Sequence, residues 1–237
     1  MSRLVLLHGF TQTGLSWTPV VMHLQREDVE IVAPDCPGHG VASDLDLTLT
    51  QGARHLALQC GRGDWVGYSM GGRFLLHVAL HFPEVVDRMV LVSTTAGIED
   101  EAERAKRRDE DEARARQLMT EGLEPFLRSW LASPLFANLS PEAAAFESRL
   151  GNTAAGLASS LRRAGTGSQD PLWHRLPDLS MPVLVVAGAN DSKFADLAFR
   201  MAELIPKAEL VLLDGGHSIH LERPKEFAET LERFLGY

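Results

Sequence analysis

The sequence contains few cysteines and no excess of positive charge. Only Cys36 and Cys60 occur among its 237 residues, and neither lies in a spacing typical of a metal site. We expect two reduced thiols in a cytoplasmic protein, while a disulfide between them stays open as an alternative. The formal net charge of −9 argues against a nucleic-acid partner. It does not argue against an anionic substrate, because local charge decides that contact.

A long hydrophobic N-terminal segment is also missing, and so is any fingerprint of a bound cofactor. The opening "MSRLVLLHGF" has an apolar run of four residues, which is too short for a signal peptide or a membrane span. We therefore expect a cytoplasmic protein without a membrane partner. No dinucleotide-binding motif, metal-ligand cluster, internal repeat or low-complexity tail occurs, so we expect no cofactor. The sequence leaves open whether the chain is a monomer or a homo-oligomer.

Hydrophobic residues make up 45% of the chain, which suits one domain with a full core. Short, almost wholly apolar runs alternate with helical patterns such as "RFLLHVALHF" (73–82) and "PKEFAETLERFLG" (224–236). The runs predicted as strands are 4–7, 29–33, 64–67, 89–93, 183–188 and 209–213. Strands without polar alternation are typical of parallel sheets that are covered on both faces. We expect an α/β fold with a mostly parallel sheet of about six strands, flanked by helices.

This alternation stops between residues 98 and 169, where no strand pattern occurs. The stretch opens with "EDEAERAKRRDEDEARARQ", which is dense in charges of both signs. We interpret 98–169 as a helical cap insertion over the carboxyl edge of the sheet, with 1–97 and 170–237 as the α/β core. For most residues of the charged run, a solvated helix with ion pairs four residues apart also explains the pattern.

Residues 67–71, "GYSMG", fit the pattern G-x-S-x-G. They follow the apolar run "DWVG" and precede a helical pattern, which is the strand–turn–helix context that this motif needs. In that context Ser69 occupies a sharp, strained turn, and the flanking glycines permit close packing around it. We interpret Ser69 as a nucleophile at the carboxyl edge of the sheet, with an ordinary glycine-rich turn as the alternative.

A nucleophilic serine needs a base, and the base needs an acid that orients it. His217 lies in "LLDGGHSIH", directly after the last predicted strand, and is the predicted base; His220 is its competitor. Asp191 follows "PVLVVAG" in "ANDSKF" and is the predicted acid, with Asp196 as its rival. The order serine, aspartate, histidine along the chain is the one expected of α/β-hydrolases.

A site for a developing oxyanion is also predicted. The segment "LLHGF" places a strand end and a glycine before Phe10. The backbone N–H groups of Phe10 and Met70 are therefore expected to converge on one oxygen. In comparable sites the removal of one such donor costs about 3–4 kcal/mol of transition-state stabilisation.

Together these motifs resemble the α/β-hydrolase superfamily over essentially the whole chain. A narrower resemblance rests on the segments "LHGFTQTGLSW", "APDCPGHG", "GYSMGGR", "NDSKF" and "GGHSIHLERP". In the predicted cap it rests on "SWLASPLF", "ESRLGN" and "GLASSLRRAGTGSQDPLW". These segments resemble the 2-succinyl-6-hydroxy-2,4-cyclohexadiene-1-carboxylate synthases of menaquinone biosynthesis. The superfamily motifs are generic, so the cap segments and Arg73 carry the narrower resemblance.

The resemblance implies a carbon–oxygen lyase rather than a hydrolase. Enzymes of that family eliminate pyruvate from a cyclohexene intermediate with several carboxylates, which arginines bind. The positions that match the family's substrate-binding residues are Tyr68, Arg73, Arg107, Trp130, Phe136 and Arg149. The register of Arg107 is open, because Arg108 is adjacent, and Leu131 stands where some members carry a tyrosine. The chain begins at the strand before "HGF", so we expect six parallel strands instead of the usual eight.

The placement of Arg73 is what a simple serine hydrolase does not explain. It lies four residues after Ser69, one turn along the same helix face, so its side chain is expected to reach the mouth of the site. A surface salt bridge to Glu84 or Asp87 is the alternative. A serine hydrolase of esters or carbon–carbon bonds is the alternative function, since it needs the same catalytic trio. A ligand receptor on a hydrolase scaffold is a further interpretation, which the complete trio disfavours.

Overall fold

This computed structural model describes residues 2–24 and 28–236. A parallel sheet of six strands lies at its centre. Its strands are β1 (Ser2–Leu7), β2 (Val29–Val32), β3 (Gly63–Tyr68), β4 (Val86–Val92), β5 (Val183–Gly188) and β6 (Ala208–Leu213). They lie in the order β2-β1-β3-β4-β5-β6, and every neighbouring pair is parallel. The predicted fold is confirmed. The strand bounds shift by a few residues. The largest shift is at β4, which begins at Val86 and not at residue 89, because Asp87 and Arg88 interrupt the apolar pattern on which the prediction rested.

Helices cover both faces of this sheet. They are α1 (Thr18–Val21), α2 (Leu49–Cys60), α3 (Met70–His81), α4 (Glu101–Glu121), α5 (Leu123–Leu131), α6 (Pro141–Ala144), α7 (Phe146–Arg149), α8 (Ala154–Ala164), α9 (Ser192–Leu204), α10 (Ile219–Glu222) and α11 (Pro224–Leu235). Leu4 and Leu6 pack with α11, while Val5 and Leu7 pack with α2 and α3 on the other face. Burial on both sides explains why the strands are apolar without alternation. Within the described ranges, no helix combines the length and hydrophobicity that a membrane span requires.

The strand order reverses between β1 and β3, which are hydrogen-bonded neighbours in the middle of the sheet. From β1 the chain crosses to β2 on one side, and from β3 it continues towards β6 on the other. The carboxyl ends of strands at such a reversal border a crevice in which α/β proteins bind ligands. The loop after β1 carries Phe10 and the turn after β3 carries Ser69. The topology therefore places these two residues at the edge of one crevice.

Residues 98–169, all of them described, contain helices α4 to α8 and no strand. Helices α4, α5 and α8 enclose a small apolar cluster of their own, which includes Leu118, Phe126 and Leu157. The charged run forms α4, and pairs such as Arg116–Glu112 at 2.9 Å follow the predicted spacing of four residues. The separate cluster supports our interpretation of this stretch as a cap on the α/β core.

The two cysteines are free and buried. Burial raises the pKa of the Cys60 thiol to about 12 and also raises that of Cys36. Both side chains therefore remain protonated thiols inside the core, and the disulfide left open by the sequence is not formed.

Gly71 permits the first turn of α3 to pack against the end of β1. A Cβ atom at this position would overlap the backbone carbonyls of Leu7 and His8. We expect Gly71→Ala to lower the free energy of unfolding by about 1–3 kcal/mol, because the backbone must shift to relieve the overlap. Urea denaturation measures this difference. Gly151→Ala is the control, since its Cβ meets only the carbonyl oxygen of Ser148 at 3.4 Å; equal losses in both variants would contradict the packing argument.

Candidate active site

Ser69 occupies a strained turn between β3 and α3. Its backbone angles are φ 50° and ψ −106°, a positive-φ conformation that residues with a side chain rarely adopt. Its N–H donates to the carbonyl of Val92 at 2.8 Å, and its carbonyl accepts from Thr94 Oγ1 at 2.7 Å. A Cβ at Gly67 would lie 2.6 Å from the carbonyl oxygen of Gly71. The turn is therefore fixed by hydrogen bonds and by packing that only glycine permits.

A chain of hydrogen bonds joins Ser69, His217 and Asp191. His217 Nε2 lies 3.3 Å from Ser69 Oγ, and His217 Nδ1 lies 2.8 Å from Asp191 Oδ2. The other carboxylate oxygen of Asp191 accepts the N–H of Phe194 at 3.4 Å and caps α9. The loops after β5 and β6 carry Asp191 and His217, next to the turn after β3. Asp191 therefore has a fixed orientation. Because its carboxylate accepts a hydrogen bond from Nδ1 of His217, the neutral imidazole carries its proton on Nδ1.

Phe10 and Met70 border the same cavity as Ser69. Met70 is the first residue of α3, whose N-terminal N–H groups and dipole favour negative charge. Phe10 follows β1 beside a tight turn in which the N–H of Gly9 donates to Gln12 Oε1 at 2.9 Å. The role of both backbone N–H groups as oxyanion donors stays a prediction.

A cavity of about 330 Å³ lies between Ser69 and the helices of the cap. Five of the residues lining it are cationic: Arg73, Arg107, Arg114, Arg149 and Lys193. Asp111 is the one acidic residue among the described residues that line it. The cavity therefore carries local positive charge in a chain whose formal net charge is −9. Such a cavity suits a small ligand with more than one anionic group.

Two of these arginines are buried without a carboxylate partner in the described part of the chain. Arg73 is 7% exposed and donates to the carbonyl of Ala164 at 2.5 Å. Arg149 is 3% exposed and donates to the carbonyl of Ala144 and the hydroxyl of Thr11. Burial lowers the pKa of each guanidinium to about 10. The alternative of a surface salt bridge for Arg73 is wrong.

Arg107 differs from the buried pair because it has a carboxylate partner. Its Nε donates to Asp111 Oδ1 at 2.9 Å, and Arg114 donates to the same oxygen at 3.3 Å. Asp111 is itself buried and also accepts the N–H of Gly167 at 3.4 Å. The structure places Arg107 at the cavity, whereas Arg108 pairs with Glu101. Arg107, and not the adjacent Arg108, therefore lines the cavity.

The aromatic residues predicted at the site also line the cavity. Trp130 lies edge-on to Phe10 and Phe136, and its buried Nε1 has no partner among the described residues. Phe136 reaches within 6.3 Å of the His217 ring, measured between centroids. The Tyr68 hydroxyl shares a hydrogen bond of 2.9 Å with Ser218 Oγ, so a protein group already contacts it. Trp130 therefore offers an unused donor, and Tyr68 offers mainly its ring.

Sequence reasoning missed two cations and one aromatic residue of this cavity. Arg114 lies seven residues after Arg107 on α4, a spacing that places both on one helix face and could have revealed it. Lys193 and Phe194 follow Asp191 directly, in the quoted motif "NDSKF". The Phe194 ring lies 4.4 Å from that of His217, and the Lys193 ammonium lies 5.7 Å from the Phe194 ring. Among the described residues, no three His, Cys, Asp or Glu side chains are grouped to hold a metal ion.

Comparisons with known proteins agree with this geometry. A model of the alpha/beta hydrolase family matches residues 4–230. The chain belongs to this family. The 2-succinyl-6-hydroxy-2,4-cyclohexadiene-1-carboxylate synthase of Serratia proteamaculans (strain 568) is 32% identical over 244 residues, covering 98% of this chain and 92% of the relative. A relative from Bacillus subtilis (strain 168) is 34% identical over 247 residues, covering 98% and 89%.

The solved structure of MenH from S. aureus is similar over the same extent. It is 34% identical, has a TM-score of 0.91, and the match covers 99% of this chain and 93% of that one. Identity above 30% over nearly the full length places this alpha/beta hydrolase among the 2-succinyl-6-hydroxy-2,4-cyclohexadiene-1-carboxylate synthases. The resemblance inferred from the cap segments and Arg73 is confirmed at the level of the family.

The remaining buried histidines do not contact Ser69. His220, the competitor for the base, packs against Tyr68 with 4.2 Å between ring centroids and the rings tilted by 46°, and burial lowers its pKa well below the ordinary value. Burial likewise lowers the pKa of His8 to about 4 and that of His39 to about 3. His77, buried on α3, has no partner for either ring nitrogen among the described groups. These side chains are packed as neutral rings in this alpha/beta hydrolase.

We expect Asp191→Asn to slow the phosphonylation of Ser69 by a fluorophosphonate probe by about 10³–10⁴-fold, because the amide no longer holds His217 in the tautomer that accepts the serine proton. Asparagine still caps a helix, so the fold is expected to persist. Asp196→Asn, on the exposed face of α9, is the matched control. Labelling by wild type and both variants at equal rates would contradict the role of Asp191.

A second expectation concerns acid stability. Burial lowers the pKa of His77 from 6.5 to about 4, so between these values the unfolded chain binds the proton and the folded chain does not. The contribution of His77 to the free energy of unfolding is fully present above pH 6.5 and is lost as the pH falls to about 4. His77→Leu should make the fall in unfolding free energy shallower by about 1.4 kcal/mol per pH unit, measured by urea denaturation. The exposed His174→Gln variant should follow wild type; an unchanged slope in His77→Leu would refute the assignment.

Proposed function

We propose that the protein is a carbon–oxygen lyase that eliminates pyruvate from a polycarboxylated cyclohexene intermediate to give 2-succinyl-6-hydroxy-2,4-cyclohexadiene-1-carboxylate. The observation that carries this proposal is the grouping of five cationic side chains in the cavity that also holds Ser69 and His217. Hydrolysis of a neutral ester needs the catalytic trio but not these cations. The synthase names of the full-length relatives support the same reaction.

Arg73 and Arg149 are the proposed primary carboxylate-binding residues. Each is buried, and each donates only to neutral oxygen atoms among the described residues. A charged hydrogen bond from an arginine contributes about 1.5–3 kcal/mol, and low water access strengthens it. A bound carboxylate would supply the counter-charge that each guanidinium lacks. Arg107 contributes further charge while it stays paired with Asp111.

His217, oriented by Asp191, is the proposed base. It accepts the proton of Ser69, and the serine oxygen, or the pair acting together, removes a proton from the ring of the substrate. The electron pair left behind forms a new ring double bond, and the bond from the ring to the oxygen of the leaving group breaks. The leaving group departs as the enolate of pyruvate and takes up the proton that His217 received from Ser69, which gives pyruvate and restores neutral His217; no acyl-enzyme is required. A positioned base of this kind accounts for about 10²–10⁴ in rate.

The backbone N–H groups of Phe10 and Met70 are the proposed donors to the oxygen on which negative charge develops. Both residues border the cavity beside Ser69, and the α3 N-terminus adds a favourable dipole. Elimination of this kind neither oxidises nor reduces the substrate. We therefore propose that this chain's own side chains and amides suffice for the reaction.

Replacing Arg73 separates a lyase from an esterase. We expect Arg73→Ala to lower kcat/KM for pyruvate release by about 10- to 150-fold, the equivalent of one charged hydrogen bond. Hydrolysis of p-nitrophenyl acetate, if wild type shows any, should change less than about twofold, because this ester has no carboxylate for Arg73 to bind. Pyruvate release is measured with substrate made by the enzyme of the preceding reaction.

Arg62→Ala is the matched control, since Arg62 is a surface residue paired with Asp87 and should leave both activities unchanged. An equal loss of both activities in Arg73→Ala would mean that this arginine supports the fold through its bond to Ala164. Wild-type protein that hydrolyses the ester but releases no pyruvate would favour the hydrolase alternative.

A further inference from the structure

Glu222 lies close behind the proposed base and outside the cavity. It is the last residue of α10, five positions after His217 in the chain, and it is half-buried. It is not among the residues that line the cavity. No interpretation of the sequence assigned it a role, although it stands in the quoted segment "GGHSIHLERP".

The carboxylate of Glu222 bridges the two residues on either side of His217. Its Oε2 accepts the N–H of Gly216 at 2.6 Å, and its Oε1 accepts the N–H of Ser218 at 3.1 Å. Hydrogen bonds to an ionised carboxylate are shorter and stronger than those between neutral groups. In the described part of the chain, Glu222 forms no ion pair with a cationic side chain. Both oxygens therefore serve the loop that carries His217.

The glycines before His217 leave room for this carboxylate. A Cβ at Gly215 would lie 2.9 Å from Glu222 Oε2 and 2.6 Å from the side chain of Ile219. A Cβ at Gly216 would lie 3.2 Å from Glu222 Oε1 and 2.7 Å from the side chain of Asn138 in the cap. The sequence "GGH" is thus explained by the close approach of a carboxylate and a cap residue to the same backbone.

The other side of the loop is also held. Ser218 Oγ shares a hydrogen bond of 2.9 Å with the hydroxyl of Tyr68, the residue before Ser69. The N–H of Ser218 donates to Glu222 and its hydroxyl contacts that of Tyr68, so this residue connects the loop after β6 to the last residue of β3. His217 lies between the two points that Glu222 fixes.

We infer that Glu222 is a positioning residue, which holds the loop 215–218 so that His217 meets Ser69 and Asp191 together. The inference rests on the role proposed above for His217 as the base. Because Glu222 does not border the cavity, its loss should affect the rate of the chemical step and leave substrate binding unchanged. Lengthening the distance from His217 to Ser69, already 3.3 Å, would weaken proton transfer.

The test compares wild type with Glu222→Gln. Glutamine keeps the size of the side chain but has one acceptor oxygen, so one of the two backbone N–H groups loses its partner. We expect kcat for pyruvate release to fall by about 10- to 100-fold, as for a catalytic group misplaced by about 1 Å, with KM within about twofold of wild type. The far-downfield proton resonance of the His217 Nδ1–H, hydrogen-bonded to Asp191, should broaden or disappear.

Glu229→Gln is the matched control, because Glu229 is exposed on α11 and lies 4.0 Å from Lys225. It should retain both the kinetic constants and the resonance. Glu222→Asp, which keeps the charge but is shorter by one methylene, is measured in the same way and serves if Glu222→Gln does not fold. The loss of activity in Glu222→Asp should also be confined to kcat.

A lower melting temperature in both Glu222 variants, with unchanged kcat and an intact resonance, would overturn the inference and leave Glu222 a merely stabilising residue. A rise in KM at constant kcat would overturn it as well. If wild type releases no pyruvate, the proposed function fails, but the resonance and the fluorophosphonate labelling rate of Ser69 still test Glu222. The two proposals can therefore fail separately.

Discussion

The contact between the first turn of α3 and the end of β1 is the constraint on which the site depends. Gly71 packs against the carbonyl of Leu7, and Gly67 packs against the carbonyl of Gly71, so the chain has little freedom between β3 and α3. Ser69 is the residue caught in between, which explains its positive φ of 50°. The strain is held by neighbouring packing, as is common for backbone conformations at functional sites. Because β1 and β3 are paired, the same contact brings Phe10 and Met70 to one edge.

The second constraint is electrostatic, and it lowers the stability of the folded state. A buried arginine without a counter-ion costs the folded state on the order of several kcal/mol, even where neutral oxygens accept its hydrogen bonds. Arg73 and Arg149 both sit in that position, and desolvation lowers the pKa of each. Arg107 does not, because the buried carboxylate of Asp111 compensates it. In the proposed function, the carboxylates of the substrate supply the counter-charge that these two arginines lack, so the cost in stability is recovered on binding.

The sequence allowed prediction of the elements whose geometry is local. The G-x-S-x-G motif dictates its own turn, and residues that directly follow buried strands must lie at one edge of a parallel sheet. Ser69, Asp191 and His217 were placed on that basis, and their catalytic roles stay proposals. Which face of α4 borders the cavity depends on packing against α8. The sequence prediction therefore did not include Arg114 at the cavity or the pairing of Asp111 with Arg107. The backbone N–H groups that donate to Glu222 are marked in the sequence only by Gly215 and Gly216, and glycines do not identify the carboxylate that approaches them.

The proposed catalytic groups come from one layer of the fold, whereas the cations of the cavity come from two. The α/β core supplies the proposed nucleophile, acid, base and backbone donors, which would serve acyl transfer as well as elimination. Acyl transfer requires the serine oxygen to face a carbonyl carbon, whereas elimination requires the same oxygen to face a C–H bond. Arg149 and Arg107 come from residues 98–169 and Arg73 from α3, so in the proposed function the substrate carboxylates bound between them fix which substrate atom reaches Ser69. In this proposal the choice between the two reactions is a matter of substrate position, and it is made by cations that never take part in proton transfer.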